Sequence, residues 1–298
     1  MRAFLRSIWR VLTAPFRWLF SPLIRLIRWL VTAVRNTHHF LTFEPDDTPV
    51  GESLASAVQD PMGVLEHLNA LRIHLTRAVI ALAITTALSF TFVEPIMQVL
   101  ATPIDGGLKA LRSIDPTETI SMVMRIALLA GFALAFPYIA FEVWLFIAPG
   151  VSAKTRRFGL LAIPLTTLFF LFGMAFAFYI MLPVAMPFLF TFMGIPTDPR
   201  PATYFPFVVS LMFWIGMAFE FPLVIYILAR LKMVTARNLA QQWRYAVVVI
   251  ALLAAIITPT TDPVNMALVM LPMSVLYGLS IILAYLARRG EAVAESAA

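Results

Sequence analysis

The sequence predicts an all-α, polytopic membrane protein with six transmembrane helices and both termini in the cytoplasm. Three observations carry that expectation. Of the 298 residues, 61% are hydrophobic and only 13% charged, against about 45–50% apolar content in soluble domains. The apolar residues gather into six runs separated by polar connections. The net charge of +6 comes from Lys and Arg concentrated in alternate connections, an excess that places those loops in the cytoplasm. This basic character therefore reflects topology and does not mark a nucleic-acid footprint. Cysteine is absent, which excludes disulfides, thiol catalysis and Cys-based metal sites.

Residues 1–43 carry Arg2, Arg6, Arg10, Arg17, Arg25, Arg28 and Arg35 and no acid. On a helix these arginines share one arc, with Trp9, Phe16, Leu19 and Leu30 largely outside it. Charges recur too often for a span, so a basic amphipathic extension on an anionic membrane surface fits best. Residues 44–61 switch to five acids, no base and three prolines, the composition of a solvated linker. The integral domain covers 62–289, and 290–298 form a short C-terminal tail.

Leu65, Leu68, Leu71 and Leu75 recur at helical spacing in an amphipathic helix that leads into span 1, from Ala78 to Val93. Span 1 is expected to stop at Glu94-Pro95. Gly106-Gly107 and Asp115-Pro116 punctuate the long connection to span 2, about Ile126 to Ala148, which holds Glu142 near its end. A basic loop with Lys154, Arg156 and Arg157 leads to span 3, about Phe158 to Leu182. Span 4 runs from Ser210 to Leu231. Arg230, Lys232, Arg237 and Arg244 then precede span 5, about Ala246 to Ile257, which at about 18 Å is shorter than a bilayer core. Span 6 covers about Met266 to Leu286.

Span 4 contains the one deep acid, Glu220. A carboxyl at that depth costs about 2.5–3.5 kcal/mol on the mild insertion scale, so an intramembrane acid is functional by default. Catalytic chemistry finds no footing. The histidines are His38, His39, His67 and His74, all before span 1, so no Ser–His pair forms within the membrane. No second deep aspartate completes a dyad, and neither a metal-ligand cluster nor a Gly-rich phosphate loop is present. The remaining classes are a solute transporter and a membrane-embedded recognition subunit. A transporter predicts internal repeats and paired broken helices, whereas charges at the cytoplasmic edges and one deep carboxyl suit a surface that receives a peptide or a partner helix.

Five motifs carry a resemblance. EHLNALRIHL before span 1, PTE before span 2, WLFIAPG at its end, GMAFEFP in span 4 and TPTTDPVN between spans 5 and 6 resemble the TatC family, in order, from Met62 to Arg289. The resemblance implies a cell inner-membrane receptor and core subunit of the twin-arginine translocase. Such proteins bind signal peptides bearing two adjacent arginines and export folded proteins on the proton-motive force. No cofactor, no metal and no nucleic acid is implied. The implied partners are small single-span subunits of the TatA and TatB type, the signal peptides of folded cargo, membrane lipids and further copies of the chain. Alternatives are a divergent paralogue with altered signal specificity and a proton-coupled solute transporter.

The resemblance also assigns residues. Arg72, Phe146, Pro149, Arg156 and Arg157 match signal-binding regions, Pro103, Glu118 and Asp262 match external-loop positions, and Glu220 matches an intramembrane glutamate linked to partner-helix contacts. Family members supply two carboxylates for the arginine pair where this chain has Ala70 and Thr155. Glu66, one turn before Ala70, and Glu142, where relatives usually carry glutamine, are the expected replacements.

Overall fold

The computed structural model describes residues 61–104, 106–150, 153–191, 200–230, 233–258 and 263–296, so the basic extension and most of the acidic linker lie outside the described residues. Of the described residues, 153–158 fall in one compact unit and the others in a second. Every contact described for the bundle lies within the second.

Its described elements are all helical. They are α1 (Pro61–Ser89), α2 (Val93–Leu100), α3 (Pro116–Ile147), α4 (Ala153–Phe176), α5 (Leu182–Thr191), α6 (Pro201–Arg230), α7 (Ala236–Gln241), α8 (Trp243–Ile257) and α9 (Pro263–Ser296). Among the described residues, five stretches are long and apolar enough to cross a membrane: 65–100, 117–147, 162–187, 201–230 and 263–287. The apolar helix α8 is shorter, with 15 residues, or about 22 Å. The protein is thus a helical polytopic membrane protein with, among the described residues, five long apolar helices and one shorter apolar helix.

Several boundaries move outward from the sequence expectation, each for a local reason. Span 1 does not stop at Glu94-Pro95. A tight turn at Phe90–Phe92 bends the chain, and α2 continues it to Leu100. Pro95 falls in the first turn of α2, where the missing N–H had no helical partner to lose. Span 2 begins ten residues early because Asp115-Pro116 starts a helix. The Asp115 carboxylate accepts from the Thr117 amide at 2.9 Å, and Pro116 takes the first helical position, which its fixed φ favours. Pro201 opens α6 in the same position, nine residues before the expected Ser210. Span 3 continues through a widened turn at Ala177–Met181 into α5. Pro183 follows that turn and has no N–H to return to the preceding carbonyls, a recognised cause of such local widening.

Helix α6 is the centre of the bundle. Half of its most apolar window is buried, against 11% for the stretch that contains α1. Tyr204, Phe205, Val208, Leu211, Ile215 and Phe219 belong to the main core cluster. In lipid, burial of apolar surface does not itself drive helices together; close packing and interhelical hydrogen bonds do. Two glycine seams supply the packing. Gly173 of α4 meets Gly216 of α6 so closely that a Cβ on Gly173 would lie 2.8 Å from the Gly216 Cα. Around this seam Phe136 stacks on Phe170 at 4.3 Å, and Phe132 and Phe213 meet edge to face. The second seam joins α1 to α3. A Cβ on Gly131 would lie 2.5 Å from the Thr86 Cα, and Thr85 Oγ1 donates to the Gly131 carbonyl at 2.8 Å.

Adding a methyl at this second crossing must push the helices apart. Gly131→Ala is expected to lower stability by about 1–3 kcal/mol, whereas Gly278→Ala, whose new Cβ meets nothing within 4 Å, changes it little. Thermal unfolding of the two purified variants measures the difference, and matching melting temperatures would contradict the seam.

Candidate functional site

The antiparallel register of α1 and α3 brings four predicted and unpredicted residues together near the end of α3. Glu142 is 3% exposed, and a carboxylate so buried requires a partner. His74 of α1 provides it, with Nδ1 2.6 Å from Glu142 Oε2. An ionised carboxylate only accepts, so the Nδ1–H donates. Arg77, one turn further along α1 and 54% exposed, reaches the same oxygen at 4.0 Å. Tyr138 stands one turn back from Glu142 on α3.

Phe146 lies one turn beyond Glu142. Its half-buried ring stacks on His67 with centroids 4.5 Å apart, and His74 meets it edge-on at 6.4 Å. The two imidazoles lie seven residues apart on α1 and therefore share a face. Together these side chains make a buried carboxylate flanked by an aromatic shelf. Such a pairing suits a guanidinium, which stacks on ring faces and forks onto carboxylates.

Other expected residues take different places. Glu66 and Arg72 lie on α1 and are exposed. Glu66 is eight residues before His74, about 12 Å along the axis, so the contact to Glu142 comes from His74. Pro149 is exposed after the end of α3. The side chains of Arg156 and Arg157, and all of Asp262, lie outside the described residues. Pro103 is half-buried in the turn after α2.

Glu118 stands at the opposite end of α3 and is buried. It forms an ion pair with Arg200, immediately before α6, and accepts from Ser113 Oγ at 3.3 Å. Nearby, the Tyr204 hydroxyl donates to the Leu100 carbonyl at 2.7 Å. These contacts tie the starts of α3 and α6 to the end of α2. Asp115, exposed beside them, is held below the usual carboxylate range by hydrogen bonds from the Thr117 backbone and side chain.

Glu220 is 8% exposed, one turn beyond Gly216 on the face of α6 that meets α4. Its Oε1 finds no hydrogen-bond partner among the described residues. On the adjoining face of α6, Trp214, Met217 and Phe221 line a cavity of about 450 Å³ with Val249 and Leu253 of α8 and Tyr277 of α9. No charged side chain lines it, so it lacks the placed charges expected of a site for a charged solute.

Sequence reasoning identified Glu142 and Phe146 but missed His67, His74 and Arg77 as their partners. The available signal was the seven-residue spacing of the histidines opposite the four-residue spacing of Glu142 and Phe146. Arg200 was likewise visible only as a charge in a proline-rich connection.

Comparison with known proteins adds independent findings. The family model described as Sec-independent protein translocase protein (TatC) matches residues 66–272. The chain is 34% identical over 226 residues to the Sec-independent protein translocase protein TatC of Carboxydothermus hydrogenoformans, covering 75% of this chain and 93% of that protein. It is 35% identical over 243 residues to the protein of the same name from Deinococcus radiodurans, covering 79% and 88%. A crystal structure of the twin-arginine translocase receptor TatC superposes with a TM-score of 0.67 at 33% identity, covering 74% of this chain and 99% of that one.

The Asp115 cap has a definite pH signature. Its folded pKa lies below the ordinary value of 3.8, so its contribution is fully present above that value and is lost as pH falls through the lower folded one. The stability difference between the native chain and Asp115→Ala should therefore shrink in strong acid. Thermal unfolding of both at pH 6 and at pH 3 or below measures this; a gap that widened in acid would contradict the assignment.

Proposed function

The chain belongs to the TatC family, as a twin-arginine translocase receptor subunit and not an enzyme, and from that premise we propose how it reads its signal. Paired arginines dock at the end of the bundle where α1 and α3 meet. Glu142 accepts one guanidinium and Glu66, exposed on α1, accepts the other, in place of the carboxylates replaced by Ala70 and Thr155. The buried carboxylate of Glu142, set beside the Phe146 shelf, carries this reading. Charge-assisted forks from arginine to carboxylate give both the strength and the geometry that a lysine pair lacks.

That end of the bundle faces the cytoplasm of a cell inner membrane, in line with the acid-free basic loops 149–157 and 230–245. The resemblance assigns Arg72, Arg156 and Arg157 to signal binding and Pro103, Glu118 and Asp262 to the external side. Glu220 is the polar contact point for a transmembrane helix of a small single-span partner, and its unpartnered oxygen supports that role. Folded cargo crosses on the proton-motive force, with no cofactor.

Two measurements test this. A twin-arginine peptide should bind Glu66→Gln and Glu142→Gln about tenfold more weakly than the native chain, a loss of about 1.4 kcal/mol each; unchanged affinity in both would remove the proposed acceptors. A strain lacking its own TatC and supplied with this chain should export a twin-arginine reporter. Failure at normal expression would instead mark a paralogue with altered signal specificity.

A further inference from the structure

We propose that His74 is a specificity-determining residue, an internal occupant of the Glu142 carboxylate that an incoming signal peptide must displace. The inference rests on the reading of Glu142 as an arginine acceptor and goes beyond it, to which peptides that acceptor admits.

The argument starts from burial. Glu142 is 3% exposed, and an uncompensated charge in such a place is strongly unfavourable. Within the chain the compensation is internal. His74 Nδ1 sits 2.6 Å from Oε2, and Arg77 Nη1 reaches the same oxygen at 4.0 Å. A peptide cation therefore meets an occupied group.

Displacement is sterically and chemically accessible. The His74 side chain is 19% exposed and Arg77 is 54% exposed, so both have open space beside them. The Phe146 ring already lies edge-on to His74 at 6.4 Å and offers the released imidazole an apolar neighbour. Arg77, at the limit of ion-pair distance, gives up little when it turns to water.

The exchange discriminates between cations. A guanidinium forks onto both carboxylate oxygens and replaces one hydrogen bond by two parallel ones. A lysine ammonium is a point donor and replaces one bond by one. With His74 in place, arginine gains from the exchange and lysine gains almost nothing. Without His74, either cation meets a carboxylate held only by Arg77 at 4.0 Å, and both bind more tightly, lysine by the larger factor. His74 thus converts a generally cation-attracting carboxylate into one that prefers arginine, at some loss of absolute affinity.

The test uses the full chain in lipid nanodiscs, a synthetic twin-arginine signal peptide and its lysine–lysine counterpart, with affinities measured by fluorescence anisotropy. His74→Ala is expected to bind the arginine peptide about tenfold more tightly and to show a smaller arginine-over-lysine ratio than the native chain. His74→Phe keeps the ring volume without the donor and should behave alike if the alanine variant does not fold. His74→Gln restores a donor and should return both affinities towards native. Weaker or unchanged binding in His74→Ala and His74→Phe, or an unaltered arginine-over-lysine ratio, would overturn the proposal and leave His74 as a structural strut. Glu142→Gln separates the two levels. If it weakens arginine-peptide binding while the His74 variants fail to tighten it, only the displacement idea falls; if it leaves binding unchanged, the reading of Glu142 as acceptor falls as well.

Discussion

The close crossing of α1 and α3 at Gly131 is the constraint on which the candidate site depends. Helices in lipid hold together by contact and hydrogen bonding, and here both act at one point. Removing the side chain at 131 lets the Thr86 backbone approach, and Thr85 then reaches the Gly131 carbonyl. This pins the two helices in register. His74 lies as many residues from Thr85 as Glu142 lies from Gly131, about 16 Å along each axis. Equal spacing along two antiparallel helices keeps them in register, and they meet again at His74 and Glu142 and at His67 and Phe146 beyond.

The rest of the bundle makes that geometry rigid. Helix α6 fills the centre through an aromatic and glycine seam with α4, and the Glu118–Arg200 ion pair ties its start to that of α3. Breaking a pair that contains a buried acid leaves an unpaired charge, so the clamp resists separation of the helix starts. A site at the other end of α3 is then carried on a braced helix, which suits recognition of a peptide by a fixed carboxylate. Glu220 occupies the same central seam, one turn from the glycine contact, where a polar atom without a partner is costly. Its placement links the packing of α6 to the partner-helix contact proposed for it.

The departure of this chain from its family lies in one exchange of chemistry. Where the resemblance to the family implies two carboxylates, this chain has Ala70 and Thr155, and the proposed acceptor is Glu142, nearly out of solvent and paired with His74. A carboxylate on an open loop is available to any cation, whereas a buried one held by an imidazole is available only to a group that makes better bonds. The aromatic shelf of Phe146 and His67 beside it favours a planar cation for the same reason. Position, burial and internal partner together define the proposed selectivity.

Much of this was legible in the residues themselves. Hydrophobic runs long enough for a bilayer read directly as spans, because every backbone group in lipid must be satisfied within a helix. Five ordered motifs pointed to the family. Helix starts were legible in principle too, since Asp115-Pro116 carries an N-cap and a first-turn proline; reading it as punctuation cost span 2 its first ten residues. What the sequence by itself could not determine was pairing. Whether Glu142 meets Glu66, His74 or a peptide depends on where α1 crosses α3, and whether Glu118 finds Arg200 depends on where α6 starts against α3. Both are contacts between residues more than 60 positions apart, set by side-chain interlocking at glycine seams. Local periodicity specifies each helix and the face it buries, but only the packed tertiary structure decides which partner that face meets.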